Sequence, residues 1–100
     1  MVSKKFFKTK EECEVTFEYE SDNVESVELV ASANNWEPVD MSKRKKDGIF
    51  YTKMRYPNNT QVQFRYRLDG DTWVNDPQAD AYVPNEHGTQ NSVVDTTPVG

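Results

Sequence analysis

Apolar and polar residues alternate most regularly in two stretches of the chain. In residues 13–20, Cys13, Val15, Phe17 and Tyr19 share one face, and Glu14, Thr16, Glu18 and Glu20 share the other. In residues 61–69, Val62, Phe64, Tyr66 and Leu68 fall together, opposite Gln61, Gln63, Arg65 and Arg67. Period two marks a strand with one buried face, so both stretches are predicted strands. Residues 26–31 align Val27, Leu29 and Ala31; residues 49–55 and the short run 91–96 add further strands, and residues 4–8 are a candidate first one. Ser21-Asp22-Asn23, Tyr56-Pro57-Asn58-Asn59 and Asp69-Gly70-Asp71 carry turn chemistry, the last leading into Trp73 and Val74. Residues 32–48 are polar and broken by Pro38, which reads as a connection, and residues 97–100 read as a loose tail. Six or seven short strands separated by turns predict an all-β sandwich.

Composition supports that reading. The chain has 100 residues, enough for one domain over 1–100. Leu, Ile, Val and Phe together number 20, at the roughly 20% level below which chains tend to disorder. The 12 aromatic residues offset this, because each buries a large area. Only 4 alanines and 2 leucines stand against 12 valines and 8 threonines, a β-forming balance rather than a helical one. The net charge of −5 argues against nucleic acid or an anionic membrane as partner. No apolar run approaches the ~18 residues of a membrane span. The basic start Met1-Val2-Ser3-Lys4-Lys5-Phe6-Phe7-Lys8 has no apolar region behind it, so no signal peptide is expected. The one cysteine, Cys13, excludes an internal disulfide and a cysteine-based zinc site, and a cytoplasmic location is expected.

Catalytic chemistry finds little support. His87 is the sole histidine and Cys13 lies on the apolar face of a predicted strand, so a Cys13–His87 dyad has no local signature. Asp69, Asp71, Asp76 and Asp80 crowd one region, but their spacing does not match a calcium loop, and they read as solvated turn carboxylates. No metal, cofactor or enzymatic activity is expected. Lys43-Arg44-Lys45-Lys46 reads as a solvated loop; an RNA or single-strand site built on it and nearby aromatics is a weaker reading. Asn58-Asn59-Thr60 has the form of a glycosylation sequon, which means nothing without a secretory signal. The tryptophans say more. Trp36 follows Asn34 and Asn35 in a polar stretch, and Trp73 follows the Asp69–Asp71 turn. Either ring capping an end of the core is the plain structural alternative. Two loop tryptophans accompanied by Asn34, Asn35, Arg65 and Asn91 suit a sugar face. The indole covers the C–H side of a pyranose, and the amides and guanidinium bond its hydroxyls.

Asn34-Asn35-Trp36, the strand ending Phe64-Arg65-Tyr66-Arg67-Leu68-Asp69-Gly70, then Trp73, Asp76-Pro77 and Gly88-Thr89-Gln90-Asn91-Ser92-Val93-Val94 resemble the family-48 carbohydrate-binding modules. These include the glycogen-binding domain of the AMP-activated protein kinase beta subunit and the N-terminal early set domains of isoamylases and branching enzymes. The resemblance covers about residues 12–96 and implies an immunoglobulin-like β-sandwich of about seven short antiparallel strands. It also implies binding of α-1,4-linked glucan such as glycogen or starch. Carried over by position, Trp36 and Trp73 become the stacking platforms, Arg65 stands where the family has a hydroxyl-bonding Lys, and Thr89 and Asn91 match a Leu-Gly-Thr-x-Asn clamp. The Leu of that clamp is His87 here, and the turn before Trp73 is one residue longer than in the kinase modules. Asn35 and His87 complete the expected carbohydrate-binding set with Trp36, Arg65, Trp73, Thr89 and Asn91. The alternative is a protein-interaction or regulatory subunit that docks on a separate glycan-metabolising enzyme or kinase.

Overall fold

In the computed structural model, which describes residues 1–98, both alternating stretches form strands and bury the predicted faces, except that Tyr19 at the end of the first is half-buried. Among the described residues the strands are β1 (Val2–Phe6), β2 (Glu12–Tyr19), β3 (Val27–Ala31), β4 (Val39–Asp40), β5 (Ser42–Lys43), β6 (Phe50–Pro57), β7 (Gln61–Leu68), β8 (Thr72–Val74), β9 (Ala81–Pro84) and β10 (Gln90–Asp95). They build two antiparallel sheets. One has the order β1-β2-β6-β5; the other has the order β4-β3-β7-β10-β9, with β8 also paired to β7. On one edge of β7, residues 64–68 pair with β3. The opposite edge is shared, residues 61–64 pairing with β10 and residues 66–68 with β8.

The sandwich closes over the alternating side chains. Cys13, Val15 and Phe17 of β2 meet Val27, Leu29, Phe64 and Tyr66 of the other sheet, all buried. Phe17 and Phe64 pack edge to face with centroids 4.9 Å apart, and Phe64 meets Tyr66 in the same way at 5.6 Å. Such pairs add to plain area burial.

Several elements depart from the expectation of about seven strands. The first strand runs Val2–Phe6 rather than 4–8, because Val2 opposite Phe17 and Phe6 opposite Cys13 face the core. Lys4 between them reaches Asp80 at 2.7 Å. The polar connection 32–48 holds the two-residue strands β4 and β5, and β9 is a further edge strand. The strand predicted over residues 49–55 runs Phe50–Pro57 as β6, leaving Asn58 and Asn59 as the turn, with Asn59 at φ 59°. The Asp69-Gly70 turn forms as predicted: φ is 51° and 76°, and the N–H of Asp71 donates to the carbonyl of Leu68 at 3.1 Å. Of the tail, Thr97 and Pro98 are irregular and exposed, while Val99 and Gly100 lie outside the described residues.

The aspartates are not all solvated. Asp76 is fully buried and accepts hydrogen bonds from the Tyr66 hydroxyl at 2.7 Å, the N–H of Gln78 at 2.8 Å and the N-terminal ammonium at 2.6 Å. Its own N–H donates to the hydroxyl of Ser92 at 2.9 Å. Asp69 accepts from the N–H groups of Glu25 and Ser26 at 2.8 and 3.0 Å, tying the β7–β8 turn to the chain entering β3. These carboxylates organise loops and converge on no common point. Among the described residues no His, Cys, Asp and Glu side chains group to hold a metal ion.

Candidate functional site

The outward residues of β7 lay the floor of a groove of about 840 Å³. Gln63 and Arg65 line it from β7, Val30 from β3 and Asn91 from β10. Val30 stands directly across from Arg65 and is only 2% exposed, which gives the floor an apolar spot among polar groups. Trp36 and Trp73 line the walls, 44% and 45% exposed, and the β9–β10 loop closes one end with Asn85, Glu86, His87 and Thr89.

Trp36 owes its position to an abrupt reversal after β3. A 3-10 turn over Ser32–Asn34 is followed by Asn35 at φ 57° and Trp36 at φ 61°. The N–H of Trp36 donates back to the carbonyl of Ala31 at 2.9 Å, and that of Glu37 to Asn34 at 3.1 Å. The Ser32 hydroxyl accepts the N–H of Gln63 at 3.0 Å, so the turn is fastened to β7. Asn tolerates the left-handed region through its short polar side chain; for Trp it is strained by roughly 1–2 kcal/mol. Asn35 is exposed and serves this turn; it is not among the lining residues.

Trp73 lies on a strand rather than in a loop, because the Asp69-Gly70 turn folds β8 back onto β7 and sets Trp73 opposite Arg67. The guanidinium carbons of Arg65 and Arg67 lie 5.8 and 5.7 Å from the indole centroid, within cation–π range. Arg67 also donates to Glu28 at 2.8 Å, and that hydrogen bond raises its pKa above the ordinary arginine value. Arg65 Nε is buried and has no hydrogen-bond partner among the described residues.

Asn85 holds the closing loop. Its side-chain oxygen accepts the N–H groups of His87 and Thr89 at 2.9 and 3.2 Å. Its side-chain nitrogen donates to Thr89 Oγ1 at 2.7 Å and Asn91 Oδ1 at 3.1 Å. Asn91 in turn donates to Gln63 Oε1 at 3.0 Å, so an amide chain crosses the floor. Gly88 at φ 79° permits the loop to close. The His87 imidazole is 80% exposed, with Nε2 3.7 Å from Glu86.

Trp36, Arg65, Trp73, His87, Thr89 and Asn91 therefore share one groove, and Asn35 stands behind its wall. Sequence reasoning missed Gln63, Val30, Asn85 and Glu86. Gln63 was accessible to it, being two residues before Arg65 on the same face. Cys13 and His87 do not meet: the thiol is fully buried between the sheets and its pKa is raised by that burial, whereas the imidazole is in solvent. The Lys43–Lys46 run sits in a hairpin, where Arg44 donates to Glu18 and Asp47, each at 2.8 Å. The indoles are at the other sheet's groove.

No helix among the described residues is long and apolar enough to cross a membrane. The sequence matches no family model and no curated protein. Among solved structures, the chain is similar in fold to the ferric enterobactin esterase of Salmonella typhimurium, with a TM-score of 0.77 at 10% identity. The match covers 98% of this chain and 35% of that one, so the chain spans about a third of the esterase's length.

Proposed function

We propose that the chain is a non-catalytic module that binds α-1,4-linked glucan of the glycogen or starch type in the β7 groove. The observation that carries this reading is the pair of exposed indoles on the walls of a single groove with a hydrogen-bonding floor. Each indole covers the C–H face of a glucose unit, and Arg65, Asn91, Gln63 and Thr89 bond its hydroxyls. No metal or cofactor takes part. The buried Cys13 and the exposed His87 form no nucleophile–base pair. A cytoplasmic location accompanies this reading, in keeping with a lone, unpaired cysteine. An open groove buries modest area, so Kd should fall in the ~μM–mM range. Titration with maltoheptaose followed by tryptophan fluorescence tests the proposal: a saturable change is expected, and none at millimolar sugar overturns it.

A second reading draws on the same exposed indoles: a protein-interaction or regulatory subunit that docks on a separate glycan-metabolising enzyme or kinase. In that case Trp36 and Trp73 are anchors for a protein surface, a role exposed tryptophans often fill. This reading leads if the glucan titration fails.

A further inference from the structure

We propose that the groove takes an anionic glycan, a glucan chain bearing a phosphate ester or a carboxylate, with that group held by the terminal nitrogens of Arg65. The inference rests on the glucan reading and adds a ligand class to it.

Arg44 pairs with Glu18 and Asp47, each at 2.8 Å; Arg67 pairs with Glu28 at 2.8 Å; Arg55 lies 4.0 Å from Glu12. Arg65 differs from all of them: its side chain has no ion pair and no hydrogen bond among the described residues, although it lies in the groove floor. Trp73 stabilises the cation through its ring but accepts no conventional hydrogen bond from it. The neighbouring amides do not serve it either, since Gln63, Asn91 and Asn85 bond one another. The result is a charged side chain with no internal acceptor, lining a groove sized for a ligand.

A guanidinium presents parallel N–H groups that match the oxygens of a carboxylate or phosphate better than a single hydroxyl. A ligand supplying such a group gains a charge-assisted contact, while a neutral sugar gains an ordinary one. Other charged groups are arranged to permit this. Arg67 stands beside the same indole with its charge matched by Glu28. Glu86 is on the rim and 88% exposed, so water and salt screen it.

The experiment compares maltoheptaose with the same oligosaccharide bearing one phosphate ester and with one ending in a glucuronate. Binding to the wild type, Arg65→Gln and Arg65→Lys is measured by calorimetry, with melting curves for each. An anionic ligand should bind the wild type about tenfold more tightly than maltoheptaose, and the better of the two identifies the oxyanion. The ratio should fall to about one in Arg65→Gln, persist in Arg65→Lys, and shrink in the wild type as salt is raised. Equal binding of neutral and anionic ligands by the wild type overturns the inference and leaves the glucan reading intact. A ratio unchanged in Arg65→Gln overturns the assignment to Arg65. Failure of all three ligands to bind overturns the glucan reading itself.

Discussion

The inward and outward faces of β7 alternate along one backbone, residue by residue, yet they are held by different forces. Inward, Val62, Phe64, Tyr66 and Leu68 are buried and gain from apolar area and ring packing. Outward, Gln63, Arg65 and Arg67 are half-buried and rely on a hydrogen bond between side-chain amides, a ring and an ion pair. One face supplies cohesion that no ligand alters. The other carries polar groups whose remaining valences point outward, which makes it poor in stability and suited to recognition. A one-residue step along β7 should therefore move a substitution's effect from melting to binding.

A paired substitution on β7 separates the two faces most strongly. Phe64→Ala should cost about 3–5 kcal/mol in chemical denaturation, through lost transfer energy and the cavity left between the sheets. That is a large share of the roughly 5–15 kcal/mol available to a small domain, so the variant should be largely unfolded near 37 °C. Arg65→Ala should change stability by about 0.5 kcal/mol or less. Similar losses at both positions would show that the two faces are not energetically distinct.

The same alternation explains what could be read in advance. In β2 and β7 a strict period of two separates a dry face from a wet one, and the structure keeps both registers. β4 and β5 are two residues long, too short to have a period. In β9, Ala81, Tyr82 and Pro84 are all exposed, so no burial pattern marks that edge strand. The groove was legible where residue type announces chemistry, as at Trp36, Trp73 and Arg65. It was illegible where a residue acts through hydrogen bonds, as Asn85 does for the closing loop. Asp76 shows the same limit: beside Pro77 it reads as a solvated turn residue, and only tertiary contact with Tyr66 and Ser92 reveals it as buried.

Tyr66 joins the buried face to a polar partner. Tyr66→Phe keeps the ring and removes one donor to the buried Asp76, at a cost of about 1–3 kcal/mol. The effect should also appear in the alkaline limb. Burial first, and then the bond to Asp76, pushes the Tyr66 hydroxyl well above the ordinary tyrosine value, while burial pushes Tyr56 up to about 12. An unfolded tyrosine ionises near ~10, so above that pH the unfolded chain binds fewer protons than the folded one. Stability is thus intact below pH ~10 and falls as pH rises, by up to about 1.4 kcal/mol per pH unit for each such tyrosine. For Tyr56 the fall ends near 12, and for Tyr66 it continues beyond. Tyr66→Phe should make the slope shallower. If Tyr56→Phe or Tyr66→Phe lowered the phenolate absorbance of the folded protein near pH 10, the burial of that ring would be contradicted.

On the outward side the effect belongs to affinity. Trp73→Ala should weaken maltoheptaose binding by about 1–3 kcal/mol, roughly five- to hundredfold, by exposing the sugar face it covers. Thermal melting should change little, since 45% of the residue is already in solvent. If Trp73→Ala instead lowers the melting temperature and leaves affinity unchanged, the indole is a cap on the sheet and not a platform.

The smallest expected effect separates platform from backbone at Trp36. Trp36→Ala and Trp36→Gly remove the same ring, so on the platform reading both should lose the same affinity. Their stabilities should differ, because position 36 sits at φ 61°. Alanine retains the Cβ that crowds the left-handed region, whereas glycine occupies it freely. Glycine's looser unfolded chain takes back part of that advantage. Trp36→Gly should therefore be more stable than Trp36→Ala by about 0.5–1 kcal/mol. Equal stabilities would mean that the turn relaxes once the ring is gone. The left-handed backbone would then be imposed by the packing of the indole and would not be a fixed mount for it.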